Sequence, residues 1–164
     1  MKDQNIYAIE LENITKTFGS VVANKNINLN VKQGEILALL GENGSGKTTL
    51  MNMISGIYKP DSGSVKVNGV PVSINSPEDS KKYGIGMVHQ HFKLVDVFSA
   101  ADNIWMGTEG TGLLLKKDRY ERISEISNKF GFDFNPRKIV ANMSVSEKQT
   151  LEILRVLYYG AKII

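Results

Sequence analysis

Apolar positions in the first half of the chain alternate with polar ones; in the second half they recur at helical spacing. Tyr7, Ile9, Leu11 and then Ile14 put an apolar face on a strand over 6–18, and Gly19-Ser20 marks the turn after it. Ile27, Leu29 and Val31 alternate with Asn28, Asn30 and Lys32, which predicts a second strand with one wet face. Gln33-Gly34 then turns into an unbroken apolar run, Ile36-Leu37-Ala38-Leu39-Leu40, which reads as a buried strand. Leu50, Ile54 and Ile57 are spaced as one face of a helix. Lys59-Pro60-Asp61-Ser62-Gly63 is a turn cluster, Val65 and Val67 alternate again, and Asn68-Gly69 suggests a hairpin turn. Ser76-Pro77-Glu78-Asp79 opens a short helix with Ser76 as cap and Pro77 at its first position. Residues 85–89 form another short apolar strand.

From there the period changes. Ser99-Ala100-Ala101-Asp102 is a capping-box pattern opening a helix through Trp105, and 107–112 is a glycine-bounded flexible loop. Tyr120, Ile123, Ile126 and Phe130 line one face of a helix over 116–130. Ser144-Val145-Ser146-Glu147 is a second capping box, opening a helix that carries Leu151, Leu154 and Val156-Leu157 and ends at Gly160. Ala161 to Ile164 reads as the start of a buried strand.

Between the apolar run and the first helix lies Gly41-Glu42-Asn43-Gly44-Ser45-Gly46-Lys47-Thr48-Thr49. Strand, glycine-rich loop and helix, with Gly41, Gly46, Lys47 and Thr48 at G-x-x-x-x-G-K-T spacing, is the setting of a phosphate-binding loop. Glycines let the backbone take positive φ and approach a ligand, so that successive N–H groups form an anion nest. The helix that follows aims its positive end at the same place. Lys47 brings a full charge to the outer phosphates, and the Thr48 hydroxyl can serve a magnesium ion. Four fixed positions in a chain this long match by chance on the order of half a per cent of the time.

Composition narrows the classes. The 164 residues suffice for one domain with a core, and a net charge of +3 is too mild for a nucleic-acid face. There is no cysteine, hence no disulfide framework and no cysteine-based zinc site. No apolar stretch is long enough to span a bilayer. His89 and His91 have H-x-H spacing, but no third metal ligand accompanies them. A phosphate-binding loop also calls for an acidic magnesium partner at the end of a second strand. No apolar strand ending in Asp follows the helical region, so the chain reads as a domain truncated where that strand begins.

These residues resemble the ATP-binding subunit of ABC transporters over nearly the whole chain. Residues 41–48 match the Walker A loop, Gln90 the Q-loop glutamine, and Met143-Ser144-Val145-Ser146-Glu147 the LSGGQ signature. Phe18 falls where the family stacks an aromatic on adenine. Finer phrases, Gly19-Ser20-Val21-Val22-Ala23-Asn24, the 86–92 segment and Glu152-Ile153-Leu154, resemble bacterial importers of simple sugars and nucleosides. The resemblance implies an α/β fold: a P-loop NTPase with a RecA-like core and antiparallel β-subdomain over 1–91, a helical subdomain over 92–157, and the first residues of the Walker B strand over 158–164. It implies ATP and Mg2+ as cofactors, with Lys47 and Gln90 catalytic. The nucleotide would be held by Phe18, Gly41, Asn43, Gly44, Ser45, Gly46, Lys47, Thr48 and Thr49, and by Ser144 in trans, with Thr48 and Gln90 at the metal. It implies two partners, a second nucleotide-binding domain and transmembrane permease subunits meeting 92–98. The place implied is the cytoplasmic face of the membrane, and no nucleic acid is expected.

The signature departs from the family pattern: Val145 and Ser146 replace glycines and Glu147 replaces glutamine. A side chain at Ser146 crowds the approach of a γ-phosphate, and the Glu147 carboxylate adds like-charge repulsion. Ser144 and Glu147 form a capping box whatever else they do, so weakened catalysis and plain helix capping both remain open. Other classes are a nucleotide-binding fragment without activity, an ABC-type ATPase of DNA repair or chromosome organisation, and a small-molecule P-loop kinase. The signature-like helix and Gln90 speak against the kinase. No coiled coil or cysteine zinc module supports the repair class.

The family's Walker B Asp, catalytic Glu and switch His have no counterparts before Ile164. The 164-residue chain is therefore expected not to turn over ATP at a meaningful rate. A steady-state phosphate-release assay checks this. Turnover abolished by Lys47→Ala would show those groups to be dispensable.

Overall fold

The computed structural model describes residues 7–106 and 116–164, so the loop expected at 107–112 lies outside the described residues. Four strands form one antiparallel sheet in the order β2-β1-β3-β4: β1 (Tyr7–Phe18), β2 (Val21–Lys32), β3 (Ser62–Val67) and β4 (Val70–Val72). β1 is interior to the sheet and carries its three most deeply buried residues, Ile9, Leu11 and Ile14. Ile9 and Leu11 keep the two-residue period of a strand, and Ile14 breaks it by one. Asn13 absorbs the extra residue at φ 52, and the register shifts there against both neighbours. Asn28 across the sheet accepts the Asn13 N–H at 2.9 Å. Asn68 and Gly69, both at positive φ, close the β3–β4 hairpin as their dipeptide predicts.

After the glycine-rich loop comes α1 (Lys47–Ile54), and Ser76 caps α2 (Pro77–Lys82) by accepting the Asp79 N–H at 3.2 Å. Leu50 and Met53 of α1 join Ile9, Leu11, Ile14, Val67, Ile74 and Ile85 in one core. Each such side chain contributes about 1.5–3 kcal/mol by burial. The expected helical stripe ends sooner than its spacing suggests. Ser55 caps α1, Gly56 takes φ 78, and Ile57 lies beyond the helix, exposed.

Two expected strands are absent. Residues 36–40 belong to no ladder, and Ile36 is 98% and Leu40 92% exposed; only Leu39 of the run packs on the core. Residues 85–89 form no strand either: Ile85 makes a single parallel bridge to Ile163, and Ile164 is exposed. A buried parallel strand needs a ladder partner along its length and cover on both faces. Apolar content alone does not supply that partner, and beyond the Ile85–Ile163 bridge none is present among the described residues.

The chain divides into two compact units, one ending at Ile85 and including Ile163, the other Gly86–Lys162 with Ile164. The second unit is helical. It contains α3 (Ala100–Trp105), α4 (Lys116–Lys129) and α5 (Val145–Tyr158), with a short 3-10 turn at Val140–Asn142. Both expected capping boxes form, Ser99 with Asp102 and Ser144 with Glu147. Ala100, Ala101 and Ile104 of α3, Ile123 of α4 and Leu151, Leu154 and Tyr158 of α5 make a second core with Val140 and Met143. Tyr120 and Ile126 pack against it as the α4 pattern implied, whereas Phe130 falls past the helix end and is exposed.

Leu151→Ala should destabilise this unit by about 2–5 kcal/mol in urea unfolding, because Leu151 is fully buried. Val97→Ala, at a position 76% exposed, should change stability by less than about 0.5 kcal/mol in the same measurement.

Candidate functional site

Helices α2, α3 and α5 each start at a serine whose hydroxyl accepts an N–H of the first turn; α1 does not. Its cap is Gly46, at φ 86 and ψ 0, and its first turn holds no acidic residue. The positive end of that helix is thus left without a side-chain acceptor, and Lys47 adds a full charge beside it. The Lys47 ammonium donates to the Gly41 carbonyl at 2.7 Å, the Glu42 carbonyl at 2.7 Å and Ser45 Oγ at 3.1 Å, which centres it within the loop. Thr48 and Asn43 are exposed and Thr49 is half-buried.

Gly46 is fixed by sterics as well as by its φ. A Cβ there would lie 2.3 Å from the Ala23 carbonyl oxygen and 2.8 Å from Asn24 Nδ2. The same Asn24 nitrogen donates to the Gly46 carbonyl at 3.3 Å, while Asn24 Oδ1 is buried with no partner among the described residues. At Gly41 a Cβ would come within 2.9 Å of Ser45 Oγ. The loop backbone therefore rests directly on β2, and its carbonyls and hydroxyl hold a cation at their centre. Such a loop can offer N–H groups and an ammonium to an anion of several phosphate groups.

Phe18 ends β1, paired with Val21 ahead of Gly19 at φ 58. It belongs to neither core; 44% of it is exposed, and its ring meets that of Tyr58 edge-on at 5.2 Å.

Gln90 and Ser144 fall in the second unit, Gln90 exposed and Ser144 at the start of α5. Ser144 Oγ accepts the Glu147 N–H at 3.2 Å, and Glu147 Oε2 accepts the Ser144 N–H at 2.7 Å. Lys138 donates to Glu147 Oε1 at 2.6 Å. This pairing offsets the like-charge repulsion expected of Glu147, since its carboxylate is turned onto its own helix end and neutralised. Lys138, and then the Ser144 N–H and hydroxyl, hold the Glu147 carboxyl down at about 2. The pattern Ser-x-x-Glu showed the box; nothing local marked Lys138.

His89 and His91 flank Gln90, and no group of three His, Asp or Glu able to hold a metal occurs among the described residues. Burial, then Lys93 and Arg155, push the His89 imidazole down. On α5, Glu152 is fully buried beside Arg155, which donates to Glu152 Oε2 and to the Lys93 carbonyl, both at 2.9 Å. Burial pushes the Glu152 carboxyl up, against the pull of Arg155. The pair moors the stretch after Gln90 to α5. Segment 92–98 is moored again by Asn103, which accepts the Val95 N–H at 2.7 Å and donates to the Val95 carbonyl at 3.1 Å. Leu94 packs on the core, whereas Val97 and Phe98 are exposed.

Comparison with known proteins bears on both units. The profile of the ABC transporter family matches residues 24–164. The guanosine import ATP-binding protein NupO of Bacillus subtilis is 49% identical over 160 residues, covering 96% of this chain and 31% of NupO. The nucleoside import ATP-binding protein NupA of Lactococcus lactis subsp. cremoris is 46% identical over 163 residues, covering 98% of this chain and 32% of NupA. The chain thus spans about a third of the length of these curated relatives. Among solved structures, cbiO1 from Clostridium perfringens, part of the ABC transporter complex cbiONQ, matches with a TM-score of 0.79 at 27% identity, over 95% of this chain and 63% of that one.

The Glu147 geometry carries a pH dependence. A carboxyl held at about 2 when folded, against 4.5 for the free group, stabilises the fold above pH 4.5 and loses that contribution as pH falls toward 2. Glu147→Gln should therefore be less stable than the parent at pH 6, and the gap should close as the pH is lowered through that window. Denaturant unfolding at a series of pH values checks it; a gap that stays constant would contradict the assignment.

Proposed function

Because the chain belongs to the ABC transporter family, we propose that it binds MgATP on the 41–49 loop and serves the ATP-driven import of a nucleoside or a simple sugar. The observation that carries the reading is the loop itself: a three-bonded Lys47 ammonium beside an unneutralised helix end, on a backbone pressed so close to β2 that only glycine fits at position 46. This is a cradle for a polyphosphate.

The role of each residue follows from its chemistry. The loop N–H groups of 43–49 receive phosphate oxygens, and Lys47 exchanges its bonds to the Gly41 and Glu42 carbonyls for bonds to the outer phosphates. Thr48, exposed at the head of α1, would hold magnesium through its hydroxyl, and the ion would supply charge neutralisation to the phosphate oxygens. The exposed Phe18 ring stacks on adenine, a contact worth about 1–3 kcal/mol. The Gln90 amide oxygen would serve as an acceptor toward a metal or a water. Ser144 and the head of α5 face the nucleotide of a second, opposing domain. The neutralised Glu147 removes one obstacle to that approach, and Ser146 keeps its steric one.

Val95, Val97 and Phe98 are the exposed apolar residues of the segment we assign to the permease subunits, held in shape by Asn103 and by the Lys148–Asp96 ion pair at 3.0 Å. No described helix is long and apolar enough to cross a membrane, which suits attachment through such a partner at the cytoplasmic face. The similarity to NupO, a guanosine import protein, and NupA, a nucleoside import protein, favours a nucleoside as the solute.

Lys47→Ala tests the site. It removes a charge-assisted contact of about 1.5–3 kcal/mol, so calorimetry should find MgATP binding weakened by roughly one to two orders of magnitude. Unchanged affinity would remove the assignment.

A further inference from the structure

We propose that Asp61 is the positioning residue for the Phe18 ring and that Tyr58 is the second wall of the same aromatic site, so that the 58–61 turn sets affinity for the base while leaving affinity for phosphate untouched. The proposal rests on the reading of Phe18 as the stacking residue. A ring at the last position of a strand, 44% exposed and outside either core, is not oriented by packing in the interior. Something else must hold it, or its own rotation would weaken any stack it makes.

The hydrogen bonds show what does. Asp61 Oδ1 accepts from Lys16 Nζ at 2.8 Å, and Asp61 Oδ2 accepts from both the Thr17 N–H and the Thr17 hydroxyl at 2.7 Å. One carboxylate thus grips the two residues immediately before Phe18 from a turn 44 positions further on. The Asp61 N–H donates in return to the Thr15 carbonyl at 2.9 Å. Lys16, brought in by this carboxylate, places its ammonium 5.5 Å from the centre of the Phe18 ring. Tyr58, at the start of the same turn, sets its ring 5.2 Å from that of Phe18 at 72°. The strand end, the cation and the second aromatic are all referred to one segment. Lys16 and the Thr17 donors also keep the Asp61 carboxyl ionised, at about 2.

A carboxylate that merely stapled the turn to β1 would affect every ligand alike. Separate titration of ATP and of inorganic tripolyphosphate into the full chain, by calorimetry, distinguishes the two roles. Phe18→Ala should weaken ATP about tenfold and leave tripolyphosphate unchanged. Asp61→Asn should weaken ATP about three- to tenfold and again spare tripolyphosphate. Tyr58→Leu should act in the same direction, and Tyr58→Phe should match the parent. If Asp61→Asn does not fold, Thr17→Val carries the same comparison, since it deletes one of the bonds and keeps the Thr17 N–H. Equal losses for both ligands, or an ATP affinity that Asp61→Asn leaves intact while Phe18→Ala lowers it, would overturn the role of Asp61 and leave the stacking reading standing. An ATP affinity untouched by Phe18→Ala would remove both.

Discussion

The closeness of the loop backbone to β2 at Gly46 governs the first unit. A methyl group there would sit 2.3 Å from a backbone oxygen, a distance no relaxation of a flexible side chain can relieve. Because the backbone sits so low, α1 begins directly at Lys47, and Leu50 and Met53 reach the core shared with β1. Because φ at Gly46 is positive, the chain turns without a side-chain cap, and the helix end stays open on the side where the lysine lies. Loop geometry, helix start and core register are one arrangement, and a change at Gly46 would disturb all three.

The second unit is governed differently. Its helices pack on a conventional apolar core, but the segments of chemical interest are moored by polar side chains from other parts of the unit. Asn103 holds the Val95 backbone, Arg155 the Lys93 carbonyl, and Lys138 the Glu147 carboxylate. One of these anchors, Asn103, is buried, and its amide is bonded through both its oxygen and its nitrogen. Buried polar groups that are paired specify one geometry, since the unpaired alternative is costly. Segment 92–98 can therefore present Val97 and Phe98 outward without being loose.

What could be read from the sequence was what is decided locally. Capping boxes at Ser99 and Ser144, the Pro77 helix start, the Asn68-Gly69 hairpin and the glycine loop each involve residues a few positions apart, so their chemistry is visible in a short window. Ile14 was legible as apolar, but the Asn13 bulge that turns it inward was not, because the bulge is imposed by two neighbouring strands. The failures share a cause. Residues 36–40 and 85–89 have the composition of central strands, yet a strand exists only with a ladder partner. The bonding roles of Asn24, Asp61 and Lys138 are not legible in the sequence because their partners lie 22, 44 and 9 positions away, at distances that no period or motif encodes.

The bare run at 36–40 has a consequence for the life of the chain before it functions. Five consecutive uncharged residues, free of proline and high in leucine and isoleucine, with Ile36 and Leu40 almost wholly open to water, have the makings of a cross-β zipper. During synthesis the run leaves the ribosome ahead of every described helix. Lys32 and Glu35 on one side and Glu42 and Lys47 on the other act as charged gatekeepers against pairing between neighbouring chains. The five residues that lead into the glycine loop are thus a backbone edge open to pairing with another chain for as long as they stay uncovered.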